Sequence, residues 1–228
     1  ALFVSALGNP AFMVAEAHAL GIKVMSLVGK VKDAVNVARG GIDAVICTGT
    51  AAGGHSGDVD GMVLVPHVVE RVAPVPVVAG GGIVDGRGLA AALALGAIGV
   101  WVGSRFIASR ECSAPDWYKQ RIVDAGDDAT VRSKWYTGKT CRHLRSEWDT
   151  AWDASGLAAL PMPDQALLTT PMALGAASVG RHLESGIFCG QGVARIASVL
   201  PAHEIVTRMI DQARDILQRE LPARVSFN

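Results

Sequence analysis

The chain is poor in aromatic residues, with five Phe, five Trp and two Tyr among 228 residues. An all-β protein of this length would carry more, because aromatic side chains favour pleated, half-buried surfaces. Net charge is missing too: 21 Lys and Arg stand against 21 Asp and Glu. Such a balance creates no broad positive field, so neither nucleic acid nor a membrane surface is expected as a partner. Cysteine is scarce. Cys47, Cys112, Cys141 and Cys189 lie far apart, with no CxxC and no metal-ligand spacing. Free thiols in a reducing compartment are the expectation, with a cytoplasmic location and no metal. No apolar run reaches membrane-spanning length, and no basic segment precedes a short apolar one. There is no paired-carboxylate signature, no Ser-His-Asp arrangement and no zinc motif. There is also no initiating Met, and the chain opens directly in a strand-like run. It is therefore expected to be the C-terminal part of a longer protein.

What the chain does have is Ala, Val and Gly in the abundance that packed helix and sheet layers require. Its length suffices for one large domain with a substantial core. The stretch from Ile42 to Gly57, IDAVICTGTAAGGHSG, concentrates the chemistry. Ala44-Val45-Ile46-Cys47 reads as a buried strand, which then breaks into small residues and delivers His55 just past its end. In parallel α/β folds that end of a strand is where ligands bind. Gly53 and Gly54 keep side chains away from the approach to His55, so a flat ligand could come close to the backbone. A histidine suits proton abstraction near neutral pH. The plainer reading is a glycine-rich loop with a solvated histidine.

Strand and helix alternate through the first ~110 residues at the spacing of βα units. Strands are expected at 2–5, 22–28, 42–47, 75–79 and 98–102, and helices at 11–20, 30–39, 64–72 and 88–95. Two successive strands end in glycine, at Gly80-Gly81-Gly82-Ile83 and at Gly103-Ser104-Arg105-Phe106. Glycine there lets backbone N–H groups converge on a phosphate. In a (β/α)8 barrel the phosphate site is often built from the loops after strands seven and eight. That numbering makes the first strand here barrel strand four, so the chain covers about strands four to eight. An open doubly wound sheet is the alternative, although no GxGxxG follows the first strand. A third possibility for the glycines is close helix–strand packing alone.

After Ser109 the rhythm is lost. Trp117, Trp135, Trp148, Trp152 and both tyrosines fall between Asp116 and Asp153. This reads as a small, mostly helical insertion after the last strand. From Ala129 to Ser146 there is no acid, but there are Arg132, Lys134, Lys139, Arg142 and Arg145. Such a run suits a phosphate-bearing substrate, with a solvated charged face as the plainer reading. Residues 201–221 form an amphipathic helix that would close the last βα unit. The expected division is 1–109 as barrel, 110–185 as a helical lid or insertion, and 186–228 as closing helices.

Three ordered blocks, AAGGHSG, PVVAGGGI and GVWVGSRF, resemble the nitronate monooxygenases, formerly 2-nitropropane dioxygenases. The related enoyl-acyl-carrier-protein reductase II enzymes share them. The resemblance covers essentially the whole chain. It implies an FMN-dependent oxidoreductase on a TIM barrel, with a small helical domain after the last strand. His55 matches the family's catalytic histidine, and Gly53 and Gly54 match the residues beside the flavin. Gly81 and Gly82, with Gly103 and Ser104, match the phosphate-binding pairs. Many members place a flavin-contacting lysine on the strand before the histidine strand, where this chain has Leu27. The implied reaction converts nitronates or nitroalkanes with O2 to a carbonyl compound and nitrite.

The stretch YTGKTCRHLRSEW, followed by LPMP, is similar to an actinobacterial subgroup associated with reduction of CoA thioesters in steroid-ring breakdown. That likeness implies an NAD(P)H-dependent reduction of an enoyl or steroid-derived CoA or acyl-carrier-protein thioester. Lys139 and Arg142 would then contact the phosphates of the substrate. A non-catalytic flavin-binding module, which would not need His55, is the remaining alternative. A homodimer is compatible with all three.

Overall fold

The computed structural model describes residues 1–6 and 8–225. Ser226, Phe227 and Asn228, the end of the segment read as closing helices, lie outside the described residues. The strands are β1 (Leu2–Ser5), β2 (Lys23–Val28), β3 (Ala44–Thr48), β4 (Gly54–His55), β5 (Val77–Gly80), β6 (Gly99–Trp101), β7 (Thr130–Ser133) and β8 (Cys141–Leu144). The α-helices are α1 (Ala11–Ala19), α2 (Val31–Arg39), α3 (Gly61–Val72), α4 (Gly86–Ala94), α5 (Ser104–Ile107), α6 (Asp116–Val123), α7 (Glu147–Ser155), α8 (Asp164–Ser178), α9 (Ala202–Asp215) and α10 (Leu221–Arg224). A π-helical turn, Ile216–Glu220, joins the last two.

The chain divides into two compact units. The first contains Ala1–Thr50, Gly57–Val102 and His203–Asn228. Its sheet is all-parallel, in the order β1-β2-β3-β5-β6. Parallel neighbours need crossover connections, and α1, α2, α3 and α4 supply them. All five residues of the central strand β3 are buried, which is why it reads as an unbroken apolar run. Val45 and Cys47 pack with Val24, Leu64, Val68 and Val77 in the core of this unit. Each fully buried Val or Ile contributes roughly 1.5–3 kcal/mol.

Helix starts are fixed by carboxylates. Asp60 accepts from Met62 N–H at 2.9 Å, and Asp85 accepts from Arg87 N–H at 3.0 Å and Gly88 N–H at 3.2 Å. Each cap contributes about 1 kcal/mol. The loops at the ends of β2 and β3 pack backbone against backbone. A Cβ on Gly29 would stand 2.6 Å from Gly57 Cα, and one on Gly49 would collide with Gly61 N. These glycines permit close approach, and no side chain replaces them without moving the chain.

The second unit contains Ala51–Ser56 and Gly103–Ala202. Its sheet is antiparallel, in the order β4-β8-β7. The stretch 110–185, expected to be mostly helical, holds α6, α7 and α8 and in addition the hairpin β7–β8. An aromatic core of Trp135 and Tyr136, packed by Trp148, Trp152 and Phe188, holds that hairpin. Trp135 and Tyr136 stack with ring centroids 3.9 Å apart.

A buried polar group lies under this cluster. Asp149, 1% exposed, accepts from Trp135 Nε1–H at 2.8 Å and pairs with His143 Nε2 at 3.0 Å through Oδ1. Its Oδ2 accepts from Ser146 N–H at 2.9 Å and from Ser146 Oγ at 3.2 Å, a reach back that also caps α7. Burial alone would raise the Asp149 carboxyl, but the hydrogen bonds from His143 and Ser146 outweigh it and hold the group below its ordinary range.

Candidate functional site

His55 sits on β4, the two-residue strand that pairs with β8 in the register Gly54↔Arg142 and His55↔Cys141. The turn between β7 and β8 then brings Thr137 onto the imidazole, with Nε2 and Thr137 Oγ1 2.9 Å apart. Thr137 Oγ1 also donates to the Lys139 carbonyl at 2.9 Å and lies 3.3 Å from Lys139 N. The ring is part-buried. Burial first, and the Lys139 ammonium second, push its proton affinity below the ordinary histidine value. His55 is therefore a neutral imidazole at pH 7, the state in which it accepts a proton.

The two glycines before His55 differ. A Cβ on Gly53 would lie 2.5 Å from the Cys189 carbonyl carbon and 2.6 Å from Gly190 N, so its lack of a side chain serves close packing of two chain segments. Gly54 has φ +67° and open space where a Cβ would project.

Gly103 likewise has open space at the Cβ position. Ser104 Oγ accepts from Gly190 N–H at 2.8 Å, so the hydroxyl is committed to the same segment that covers Gly53. The next residue, Arg105, is buried and donates from Nη2 to the carbonyls of Ala108 and Ser198, at 2.7 and 2.6 Å. This guanidinium fixes the turn that carries Gly103 and Ser104.

Gly81 and Gly82 belong to the first unit. They follow β5 with φ +100° and +72°, in the left-handed region that an L side chain rarely adopts. The second unit brings His55, Gly53, Gly54, Lys139, Gly103 and Ser104 into its fold together with Arg142. Lys139 is exposed, with its charge felt at His55. Arg142, read from the basic run as a phosphate contact, is buried on β8 and donates from Nη1 to Thr130 Oγ1 at 2.8 Å. Thr137 was not found by sequence reasoning. A hydroxyl before a turn glycine, 82 positions from His55, carries no local signal of its partner. Among the described residues no group of three or more His, Cys, Asp or Glu is arranged to hold a metal ion. No helix of the described residues is long and apolar enough to cross a membrane.

The family model described as nitronate monooxygenase matches residues 2–212. The chain belongs to the nitronate monooxygenase family. A Mycobacterium tuberculosis protein named as a monooxygenase is 40% identical over 222 residues, covering 94% of this chain and 59% of that protein. A Staphylococcus aureus protein named as a nitronate monooxygenase is 31% identical, covering 86% of this chain and 58% of that protein. The chain thus spans about three-fifths of the length of the curated relatives it matches.

Two solved structures extend the comparison. FabK from Thermotoga maritima superposes with a TM-score of 0.85 at 33% identity, covering 98% of this chain and 71% of that one. A nitroalkane oxidase from Streptomyces ansochromogenes superposes with a TM-score of 0.84 at 28% identity, covering 95% and 65%. The resemblance read from the three glycine blocks is to the family whose model matches this chain.

Proposed function

We propose that the protein is an FMN-dependent nitronate monooxygenase that converts nitronates or nitroalkanes and O2 to a carbonyl compound and nitrite. The observation that carries this reading is His55. It is a neutral imidazole in the loop that follows β3, next in sequence to Gly54, whose Cβ position is open, in a chain of this family. The five parallel strands are read as strands four to eight of a (β/α)8 barrel, each followed by its helix.

The residues present fit a flavin. Gly81 and Gly82 hold positive φ, a backbone that a side chain would strain, and Gly103 leaves the space a Cβ would fill. In this reading N–H groups of Gly81, Gly82, Gly103 and Ser104 hold the phosphate. Bound FMN supplies the electron acceptance from substrate that no side chain here provides. His55 takes the α-proton of a neutral nitroalkane: the C–H bond breaks, an N–H bond forms, and the negative charge moves to the nitro oxygens. A preformed nitronate needs no such base. His55→Ala is therefore expected to lower kcat/KM for a nitroalkane by about 100-fold or more, the usual worth of a general base. The loss for the matching nitronate should be much smaller, and equal losses would remove the assignment.

A second reading is reduction of an enoyl thioester with NAD(P)H. The likeness to FabK and the exposed Lys139 near His55 favour it. Anaerobic bleaching of the FMN-loaded, full-length protein separates the two. Propionate 3-nitronate alone should bleach the flavin in the monooxygenase, and NADH or NADPH alone in the reductase.

A further inference from the structure

The hydroxyl of Thr137 has one proton and two lone pairs, and its neighbours fix how each is used. Thr137 Oγ1 stands 2.9 Å from the Lys139 carbonyl oxygen. Two oxygens at that distance need a proton between them, and a carbonyl has none to give. The Thr137 proton therefore lies on the line to Lys139. The Cys141 thiol, which also lies against Thr137, is pushed up to about 11 by burial, so it stays a neutral thiol, a weaker acceptor of that proton than the Lys139 carbonyl. What remains on Oγ1 is acceptor capacity. His55 Nε2, 2.9 Å away, must then be the donor. The opposite arrangement would aim the Thr137 proton at Nε2 and set the lone pairs of Oγ1 against those of the carbonyl.

The platform under this hydroxyl is closely packed. Gly138, at φ +81°, has the Leu160 carbonyl and Met162 N each 2.5 Å from the position of a Cβ. Thr137 N–H and Gly138 N–H both donate to the Lys134 carbonyl, at 3.2 and 2.6 Å. Trp135 and Tyr136, in the same turn, are buried. Nδ1 of His55 has no partner among the described residues and is not among the sealed polar atoms.

We propose that Thr137 is a positioning residue that holds His55 as the Nε2–H tautomer, leaving Nδ1 as the nitrogen that takes the substrate proton. The proposal rests on the reading of His55 as the base. Thr137 does not touch the reacting atoms. It acts by fixing which ring nitrogen is bare and where it points, much as a hydrogen bond to one nitrogen sets the role of the other in histidine sites generally.

The test uses the 15N-labelled, FMN-loaded, full-length protein above the titration of His55. Long-range 1H–15N spectra, assigned with His55→Ala, report which ring nitrogen carries the proton. The expected wild-type spectrum has a protonated Nε2 and a bare Nδ1, and the reverse overturns the proposal. Thr137→Val keeps the shape and removes the hydroxyl. It should lose the exchange-protected Nε2–H signal and lower nitroalkane kcat/KM about tenfold, the worth of one hydrogen bond. That loss should exceed the loss for the preformed nitronate at least fivefold. Thr137→Ser should restore both the signal and the rate. Nitroalkane turnover within twofold of wild type in Thr137→Val overturns the positioning role. A wild type that shows the Nε2–H spectrum but turns over neither substrate overturns the monooxygenase reading and leaves the positioning of His55 by Thr137 standing.

Discussion

Replacing Asp149 by Asn is the sharpest stability test of the second unit, because the two side chains have the same shape. The carboxylate accepts at both oxygens: Trp135 Nε1–H and His143 Nε2 meet Oδ1, and the N–H and hydroxyl of Ser146 meet Oδ2. An amide has one oxygen and one NH2. Turned one way, its NH2 faces the Trp135 N–H. Turned the other way, it faces the Ser146 N–H. The hydroxyl and the imidazole can adapt by becoming acceptors, but one buried N–H is stranded in either case. A stranded buried donor costs about 1–3 kcal/mol, and the surviving bonds lose their charge assistance. The expected loss in Asp149→Asn is about 2–4 kcal/mol in urea denaturation, followed by circular dichroism.

A pH arm accompanies this test. The folded carboxyl lies below its unfolded value. Its contribution is therefore complete above the unfolded carboxylate pKa of about 3.9 and is lost as pH falls through the folded value. The wild-type advantage over the variant should shrink below about pH 4. A loss under 1 kcal/mol at pH 7, or an advantage that persists unchanged in acid, would refute the reasoning.

Two further outcomes are expected. Gly53→Ala places a Cβ 2.5–2.8 Å from the backbone of Cys189 and Gly190, so unfolding free energy should fall by about 1–3 kcal/mol in urea titration. The same substitution at Gly61, where the Cβ position is open, serves as the tolerant control. Lys139→Gln removes the nearby cation that lowers the His55 proton affinity, while burial still acts and Cys141 and Arg142 remain on the facing strand. The acidic limb of the kcat/KM profile for a nitroalkane should then move to higher pH, toward but not beyond the ordinary histidine value, and a limb that stays in place would contradict the attribution.

The parallel sheet was legible because each of its strands is apolar and closed by a glycine turn. The β3 run and the Gly80–Gly82 stop are the plainest cases. Boundaries moved by only a few residues, as with α3, which starts at Gly61 behind its Asp60 cap. The second sheet was not legible. Two residues are too few to show alternation in β4, and β7 and β8 read TVRS and CRHL, polar and basic segments that look like surface. Their strand character comes from pairing with each other and from the aromatic core, which is long-range information. Arg142 lies on one of these strands and donates to Thr130, a contact that the basic run does not reveal. His55 could be singled out from its loop. Its partner could not, because no local pattern marks the hairpin that delivers Thr137.

The backbone-to-backbone packing of Gly29 on Gly57 and of Gly49 on Gly61 bears on how this sequence can change over time. A bulky residue inside a core can be accommodated when a neighbour shrinks, so pairs of core positions drift together. Glycine facing glycine has nothing left to give up. A side chain gained at Gly29 or Gly49 has no compensating exchange at its partner, and only a shift of the backbone itself would make room. These contacts therefore act as fixed points around which the helices and the solvent-facing residues of the first unit are free to diverge.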